Sequence, residues 1–363
     1  MKKIICFLLV MMIALSCGCK LLDGETTSGS DLDGVESTKS PKNGGDDEYI
    51  ETTPNSDFAN EQGTEISKDT DISNEFIRVT AYYRDGDNTL IPLTRKIKKE
   101  EGIARATLNY MIDNEQNNSK IKDLGLQGIL PKDTTMLGIN IKDDIAIVDF
   151  SSDILDYTSE ATETNIVAGV VYCLTGFDTI EGVKFLIEGK EYGKMKFGTD
   201  ISEVLGRQNT LINSHNTNLG DKVSKIDIYL YKYMEGKREY ILPVSVSYIG
   251  IEEDMLPTEL VRMLTEKPKD GKLYSQIPTE TRLISSRIDK DILVLDFDRE
   301  IGNYGGSSRE LGILNQLIYT MKQINKAKGI KILIEGREGT LPEGTDLSKE
   351  IIFPAHINAH DDI

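Results

Sequence analysis

The same succession of apolar and polar positions occurs twice along this chain. Residues 143–150 read DDIAIVDF and are matched by 290–297, KDILVLDF. Residues 182–189 read GVKFLIEG and are matched by 329–336, GIKILIEG. Both correspondences have the same offset of 147 positions. An offset shared by separated segments indicates that a whole structural unit has been duplicated.

Each copy begins with two runs of β-forming residues around a turn. The first copy has these runs at 77–83 and 90–93, with turn residues at 85–88, and the second repeats the pattern at 226–244. This arrangement predicts a β-hairpin. Pro92 indicates an edge or a strand end, because proline has no N–H to donate to a ladder.

A helix is predicted next in each copy, from an apolar stripe with the spacing i, i+4, i+7, i+8. The stripe consists of Ala104, Leu108, Met111 and Ile112 in the first copy, and of Leu256, Leu260, Met263 and Leu264 in the second. A strand pair at 136–150, a longer helix at about 163–177 and a strand at 183–188 complete the first copy. Their counterparts lie 147 positions later.

The order hairpin, helix, hairpin, helix and strand predicts an α+β fold that is repeated in tandem. In each repeat both helices are expected to cover one face of a small, mainly antiparallel sheet. The predicted boundaries are a first domain at 76–205, a polar linker at 206–224, a second domain at 225–353 and a C-terminal tail at 354–363.

Residues 1–19 predict a signal peptide. Lys2 and Lys3 precede an apolar run at 4–15, which is shorter than the about 20 residues that a membrane-spanning helix needs. The small residues and cysteines that follow resemble a bacterial lipoprotein signal. Cys19 is the predicted lipidated residue and Cys17 is the alternative. Ordinary cleavage of a secreted protein is the other interpretation.

Residues 20–75 predict a disordered acidic tether between that anchor and the first domain. They contain fifteen acidic and four basic side chains and almost no aliphatic periodicity. Such a segment buries too little apolar surface to offset its ordering entropy, and the ends of such a coil lie on the order of 40 Å apart. A lipid anchor followed by a tether predicts an extracytoplasmic protein, attached to the outer face of the cytoplasmic membrane.

Composition narrows the function further. A net charge of −18 argues against a nucleic-acid partner, which requires a basic surface. Of the four cysteines only Cys173 lies in a predicted domain, so neither an intramolecular disulfide framework nor a cysteine-based metal site is expected. The sequence contains no glycine-rich phosphate loop and no nucleophile elbow, and no cofactor is predicted.

Asp149 and Asp296 end a strand in both copies and are the first candidates for acid–base chemistry. Such catalysis needs a second group within hydrogen-bond reach, and no His, Lys or second acid recurs beside them. They are therefore interpreted as strand-end residues whose oxygens accept backbone N–H groups. Glu188 and Glu335 are interpreted in the same way, and no catalytic residue is predicted.

His356 and His360 have the i, i+4 spacing of a zinc-binding pair, with an adjacent aspartate as a third ligand. Pro354 precedes them, and the glutamate of a metalloprotease motif is missing. The segment is interpreted as a frayed tail, and no metal site is predicted.

These motifs resemble those of the GerMN domain family of Gram-positive spore-forming bacteria. The resemblance is carried by 128–134, GILPKDT, by the Val-Asp-Phe and Glu-Gly strand ends, and by the duplicated order of elements. The repeat-defining structural positions are Pro92, Pro131, Asp149, Glu188 and Gly189, and in the second copy Pro243, Pro278, Asp296, Glu335 and Gly336. The second copy departs from the family pattern at 279–281 and at 322–324, which argues against a binding role for its loop.

The resemblance implies a fold similar to ring-building domains, and a non-enzymatic lipoprotein that acts as an assembly or localisation factor in sporulation or spore germination. The implied partners are the membrane, through the N-terminal lipid, and other sporulation or envelope proteins, with a ring-like oligomer as one form of assembly. The alternative is an extracytoplasmic lipoprotein that binds a small ligand or a cell-wall fragment. An envelope hydrolase is the third hypothesis.

Overall fold

The computed structural model describes residues 75–214, 223–234 and 238–360. The predicted signal peptide, both candidate lipidation cysteines and all but the last residue of the predicted tether lie outside the described residues. The described residues of both repeats belong to one compact unit. None of the described helices has the length and hydrophobicity that crossing a membrane requires.

The described part of the first repeat contains six strands and three α-helices. The strands are β1 (Phe76–Arg84), β2 (Leu90–Lys98), β3 (Met136–Lys142), β4 (Ile145–Phe150), β5 (Gly182–Ile187) and β6 (Lys190–Glu191). The helices are α1 (Ile103–Asn109), α2 (Glu115–Ile121) and α3 (Glu160–Leu174). Short 3-10 turns lie at Lys122–Leu124 and Ser152–Leu155.

The described part of the second repeat contains eight strands and two α-helices. The strands are β7 (Ser224–Tyr233), β8 (Glu239–Tyr248), β9 (Leu273–Tyr274), β10 (Leu283–Asp289), β11 (Ile292–Phe297), β12 (Gly329–Ile334), β13 (Ile351–Ile352) and β14 (Ala359–His360). The helices are α4 (Leu256–Thr265) and α5 (Ser307–Met321), and 3-10 turns lie at Glu253–Met255 and Arg299–Gly302.

Each repeat contributes to two sheets, where the sequence analysis expected one. The larger sheets have the orders β3-β4-β5-β6 and β10-β11-β12-β13, and the smaller ones β1-β2-β14 and β8-β7-β9. Strands β4 and β5 run parallel, as do β11 and β12, because α3 and α5 form the crossover connections that parallel neighbours need. The α+β class with two repeated sheet–helix units is confirmed, and the division into two sheets is new.

Helix α3 packs against both sheets of the first repeat. It begins at the N-cap Ser159, whose hydroxyl accepts a hydrogen bond from the Thr162 N–H at 3.1 Å. The predicted apolar residues on this helix are fully buried, against β1 on one side and β5 on the other. Cys173 lies on the same helix and is buried as a free thiol. The crossover helix therefore joins the hairpin to the larger sheet.

Helix α1 is shorter than predicted, because the chain turns before the end of the apolar stripe. Met111 follows the helix but is fully buried, and its carbonyl accepts hydrogen bonds from the N–H groups of Ile129 and Leu130 at 2.8 and 2.9 Å. This approach needs a glycine next to it, since a Cβ on Gly128 would lie 2.5 Å from the Asp113 nitrogen. Helix α2 was not predicted, because its sequence EQNNSKI buries a single aliphatic side chain.

Helix α5 and the residues directly after it bind the backbone of β7 through three polar side chains. Gln316 donates to the Tyr229 carbonyl at 2.8 Å, and Thr320 accepts from the Tyr229 N–H at 3.0 Å. Gln323 donates to the Asp227 carbonyl at 2.6 Å and accepts from its N–H at 3.1 Å. Within the segment 322–324, where the second repeat departs from the family pattern, Gln323 thus makes two hydrogen bonds to the Asp227 backbone of β7.

Candidate functional site: the junction between the repeats

Strands β2 and β8 face each other edge to edge, and we call this contact the hairpin junction. Leu90 and Pro92 of β2 correspond to Ile241 and Pro243 of β8, since each proline lies opposite a tyrosine of its own hairpin partner strand. Proline has no N–H, so the two edges cannot pair directly at these positions. Although β2 is central in its sheet, β14 pairs only with Thr94 and the next residue, so Pro92 occupies an edge position.

Two asparagines fill the space between the edges. Asn213 accepts from the Leu90 N–H at 2.8 Å and donates to the carbonyls of Leu90 and Pro243 at 2.8 and 2.9 Å. Asn358 accepts from the Ile241 N–H at 3.1 Å and donates to the carbonyls of Ile241 and Pro92 at 2.7 and 2.8 Å.

Each asparagine thus hydrogen-bonds the backbone N–H and C=O of a residue in the hairpin of its own repeat. Its amide also donates to the proline carbonyl of the other hairpin, where no proline N–H is available to pair the two edges. Both have left-handed backbone conformations, with φ of 49° and 48°, which asparagine tolerates better than most residues.

The residue before each asparagine binds the hairpin of the other repeat. Ile212 donates its N–H to the Ser245 hydroxyl at 2.9 Å and accepts from the Ser245 N–H at 2.9 Å. Ile357 donates to the Thr94 hydroxyl at 3.0 Å and accepts from the Thr94 N–H at 3.1 Å. The C-terminal segment of each repeat therefore docks on its neighbour, and the exchange is reciprocal.

This exchange changes the interpretation of two segments. The frayed tail expected at 354–363 is wrong for residues 356–360, because Ile357 is buried and β14 pairs with β2 in parallel. Within the polar linker expected at 206–224, the described residues 206–214 pack against both repeats. Each segment is short and polar, and its partners lie far away in sequence. No local periodicity signals such contacts.

A buried ion pair links the turn of the first hairpin to β7. The Lys232 ammonium lies 2.5 Å from Asp85, 3.1 Å from Asp87 and 2.7 Å from the Thr89 hydroxyl. The side chains of Lys232 and Asp85 are only 4% and 2% exposed. Lys272 adds a contact of 2.5 Å to Asp87, and the two lysines lower the pKa of this carboxyl, Lys272 most strongly. The Asp85–Lys232 pair is therefore buried, whereas Asp87 and Lys272 lie on its solvent-exposed side.

A second polar cluster joins α3 to β7. Tyr172 donates to Asp227 at 2.6 Å, Lys225 lies 2.9 Å from the same carboxylate, and Ser245 donates to its other oxygen at 2.8 Å. Burial and the neighbouring Asp227 raise the pKa of Tyr172, while burial lowers the pKa of Lys225 against the attraction of Asp227. The Arg207 guanidinium lies over the Tyr172 ring at 4.9 Å. The cluster is a saturated structural network with no free acid or base.

Asp149 and Asp296 occupy the same place in both repeats, at the end of a strand. Asp149 accepts from the Gly189 N–H at 2.9 Å, and Asp296 accepts from the Gly336 N–H at 2.8 Å. Both glycines have positive φ, as do Glu188 and the equivalent Glu335 before them, so each carboxylate stabilises a left-handed turn.

We expect Asp149→Ala to lower the free energy of unfolding by about 1 kcal/mol, because it removes one exposed hydrogen bond to a backbone N–H. Asp296→Ala is the matched control, since the geometry is the same, and it should lose a similar amount. Urea unfolding of each variant measures the effect. A loss of several kcal/mol in one variant only would show that the two carboxylates have different roles.

Glu163 and Glu310 are a second repeated pair of acids, which the sequence analysis missed. Each lies in the first turn of the long helix, with its side chain buried. Glu163 accepts from the Tyr157 hydroxyl at 2.6 Å and from the N–H groups of Phe197 and Thr199 at 2.5 and 2.8 Å. Their common offset of 147, shared with Tyr157 and Tyr304, was the available signal.

Glu310 repeats this arrangement in the second copy. It accepts from the Tyr304 hydroxyl at 2.6 Å and from the N–H groups of Glu343 and Thr345 at 2.7 and 3.0 Å. The Thr345 hydroxyl adds a fourth hydrogen bond at 2.5 Å. Both carboxylates thus hold a loop on the C-terminal side of β5 or β12, at 197–199 and 343–345, and all their oxygens are engaged.

The remaining repeat-defining prolines begin turns. Pro131 accepts from the Thr134 N–H at 2.9 Å, and Pro278 accepts from the Thr281 N–H at 3.1 Å. The turn therefore survives the departure from the family pattern at 279–281.

The described residues contain no cluster of three or more His, Cys, Asp or Glu suited to a metal ion. The His356 carbonyl accepts from the Tyr319 hydroxyl at 2.5 Å, as part of the docked segment. A shallow groove of about 300 Å³ lies on the second large sheet, lined by Arg287, Asp289, Val294, Lys331, Leu333, Gly336 and Glu338. It belongs to the second repeat alone.

Comparison with known proteins agrees with the duplication. The family model described as "Germane: Sporulation and spore germination" matches residues 80–193 and 227–340. The chain is 28% identical over 284 residues to the spore germination protein GerM of Bacillus subtilis (strain 168), covering 76% of this chain and 77% of that protein.

A solved structure of the tandem GerMN domains of the sporulation protein GerM from Bacillus subtilis is 27% identical. It has a TM-score of 0.69 and covers 78% of this chain and 99% of that chain. The resemblance inferred from the sequence motifs is thereby confirmed. Because the family model matches more than half of its residues, the chain belongs to the Germane family of sporulation and spore germination proteins.

Proposed function

We propose that this protein is a membrane-anchored, non-enzymatic lipoprotein that assembles or localises an envelope protein complex during sporulation or spore germination. The names given to its relative GerM, which is called a spore germination protein and a sporulation protein, support the process. The repeated carboxylates support a scaffolding role, because Asp149, Asp296, Glu163 and Glu310 accept backbone hydrogen bonds that hold turns and loops.

The observation that carries this proposal is an apolar edge presented twice. Strands β3 and β10 are the terminal strands of the two large sheets. Leu137 and Ile141 of β3 are 48% and 46% exposed, and the equivalent Ile284 and Ile288 of β10 are 55% and 42% exposed. A strand edge with exposed aliphatic side chains suits strand addition by another protein. The partner that we propose is an envelope protein that contributes such a strand.

We expect the double variant Ile141→Glu, Ile288→Glu to fold normally but to fail to restore sporulation in a strain that lacks the gene. A carboxylate on each edge would have to be desolvated on strand addition, which weakens binding by about tenfold or more per site. Spore yield and germination rate are the readouts, and thermal unfolding checks the fold.

Ile249→Glu is the matched control, because Ile249 is 76% exposed and lies in a loop. This control should restore sporulation fully. Complete complementation by the double variant would show that the two strand edges are not the binding surface. Normal sporulation and germination after deletion of the gene would contradict the proposed role in these processes. If the added strand came from a second copy of the chain, the unmodified protein would form a large ring-like species in light scattering. The double variant would not form this species.

We expect Cys19→Ala to release the protein from the membrane fraction, because a lipid on this cysteine is the proposed anchor to the outer face of the cytoplasmic membrane. Cys17→Ala should remain membrane-bound. Fractionation of cells and partition into detergent measure both outcomes. If only Cys17→Ala released the protein, Cys17 would be the lipidated residue. If the variant that lacks both cysteines stayed in the membrane fraction, a lipid anchor would be excluded.

A further inference from the structure

The hairpin junction is built from equivalent residues that contact each other reciprocally. Asn213 and Asn358 exchange roles, and so do Pro92 and Pro243. An interface of this kind is isologous, which means that an approximate two-fold axis relates the two repeats. A residue that contacts the equivalent residue of the other repeat lies close to that axis.

Asp85 and Lys232 are such equivalent residues. Arg84, the last residue of β1, pairs through its backbone with Gln127, and its counterpart Tyr231 in β7 pairs with Tyr274. All of these positions have the offset of 147, and the residue that follows is Asp85 in one repeat and Lys232 in the other. Position 85 therefore contacts its own equivalent across the junction, and the two residues carry opposite charges.

The asparagine and hydroxyl contacts of the junction are interchangeable between the repeats. Thr94 and Ser245 both offer a hydroxyl to an isoleucine N–H, and both asparagines bridge two strands in the same way. A pair of two first repeats would therefore form the asparagine contacts as well as the observed pair of one first and one second repeat does. Such a pair would, however, bury Asp85 against a second Asp85. A pair of two second repeats would bury Lys232 against a second Lys232. Like charges at a site with exposed fractions of 2% and 4% are strongly unfavourable.

We propose that the Asp85–Lys232 pair is the specificity element of the hairpin junction: it restricts pairing to one first repeat with one second repeat. The partner that this surface fits is thus the unlike repeat, of the same chain or of a second copy. Pairing of like repeats from neighbouring chains, which would link chains into open assemblies, is disfavoured by charge repulsion at this pair.

The test uses two full-length variants in detergent solution, Asp85→Lys and Lys232→Asp. Alone, each places two like charges at the junction and should unfold at a lower urea concentration than the unmodified chain. When the two variants are refolded together at about 100 µM, a mixed dimer has complementary charges at both of its junctions. Formation of this dimer competes with pairing of the two repeats within one chain, which the short linker favours through a high effective concentration. On the order of tenfold more mixed dimer is expected than in either variant refolded alone, measured by light scattering with two distinguishable tags.

Asp85 also accepts from the N–H groups of Asp87 and Thr89, so Asp85→Asn serves as a control that keeps this turn acceptor. The double variant Asp85→Lys, Lys232→Asp should recover most of the stability that the single variants lose. Equal amounts of dimer in mixed and separate refolding would overturn the proposal. So would a double variant whose loss equals the sum of the two single losses, because the charges would then not act on each other.

Discussion

Replacing Glu163 by alanine is expected to lower the free energy of unfolding by about 3–5 kcal/mol. The side chain is fully buried, and its removal leaves the Tyr157 hydroxyl and the N–H groups of Phe197 and Thr199 without an acceptor. Hydrogen bonds to a charged acceptor contribute about 1.5–3 kcal/mol each, and a buried donor without a partner costs its full desolvation. Urea unfolding of Glu163→Ala beside the unmodified protein measures the loss.

Three further variants make this prediction specific. Glu310→Ala should lose a comparable amount, because its carboxylate has the same partners in the second repeat. Glu160→Gln, an exposed acid in the first turn of the same helix, should lose less than about 0.5 kcal/mol. Glu163→Gln keeps the shape but turns an NH₂ group toward N–H donors, so an intermediate loss is expected. Full stability of Glu163→Ala would contradict the structural role.

The same carboxylate predicts a pH dependence. Burial alone raises the pKa of Glu163, but the hydrogen bonds from Tyr157, Phe197 and Thr199 outweigh it and hold the pKa below its ordinary value of 4.5. A carboxyl whose pKa is lower in the folded state stabilises the protein above the unfolded pKa. This stabilisation is lost as the pH falls below about 4.5. Stability measured between pH 7 and pH 3 should therefore fall less steeply in Glu163→Gln than in the unmodified chain.

Asn358→Ala is expected to lower the free energy of unfolding by about 3 kcal/mol. It leaves the Ile241 N–H and the carbonyls of Ile241 and Pro92 without their partner, and it places alanine at a positive φ. Asn358→Gly separates the two causes, because glycine adopts this φ without strain but makes no side-chain hydrogen bond. It should recover about 1 kcal/mol of the loss.

Asn213→Ala is the matched variant on the other side of the junction. Because Asn213 makes the same three hydrogen bonds, a similar loss is expected. If the junction holds the repeats as one cooperative unit, both variants should also make unfolding less cooperative, with two transitions in urea. Loss of stability in one variant and none in the other would show that the two asparagines are not equivalent in energy.

The departures from expectation have a common cause. Asp149 and Asp296 were recognised because the segments around them are apolar and repeat clearly. Asn213 and Asn358 also belong to a repeated Ile-Asn pair, but they lie in short polar segments at an offset of 145, and such segments predict a linker and a tail. Glu163 and Glu310 lie in a helix whose apolar stripe dominates its pattern, which makes a buried acid on it easy to overlook.

The sequence by itself determined the duplication, the order of the elements, the α+β class and the family, because each of these follows from local periodicity and short motifs. Only the tertiary structure decided that α3 joins two sheets, that each C-terminal segment docks on the other repeat, and that Asp85 meets Lys232. These contacts join residues that are distant along the chain, up to 266 positions apart for Asn358 and Pro92. Which side chains meet at such a distance depends on how the elements pack, and no local pattern records it.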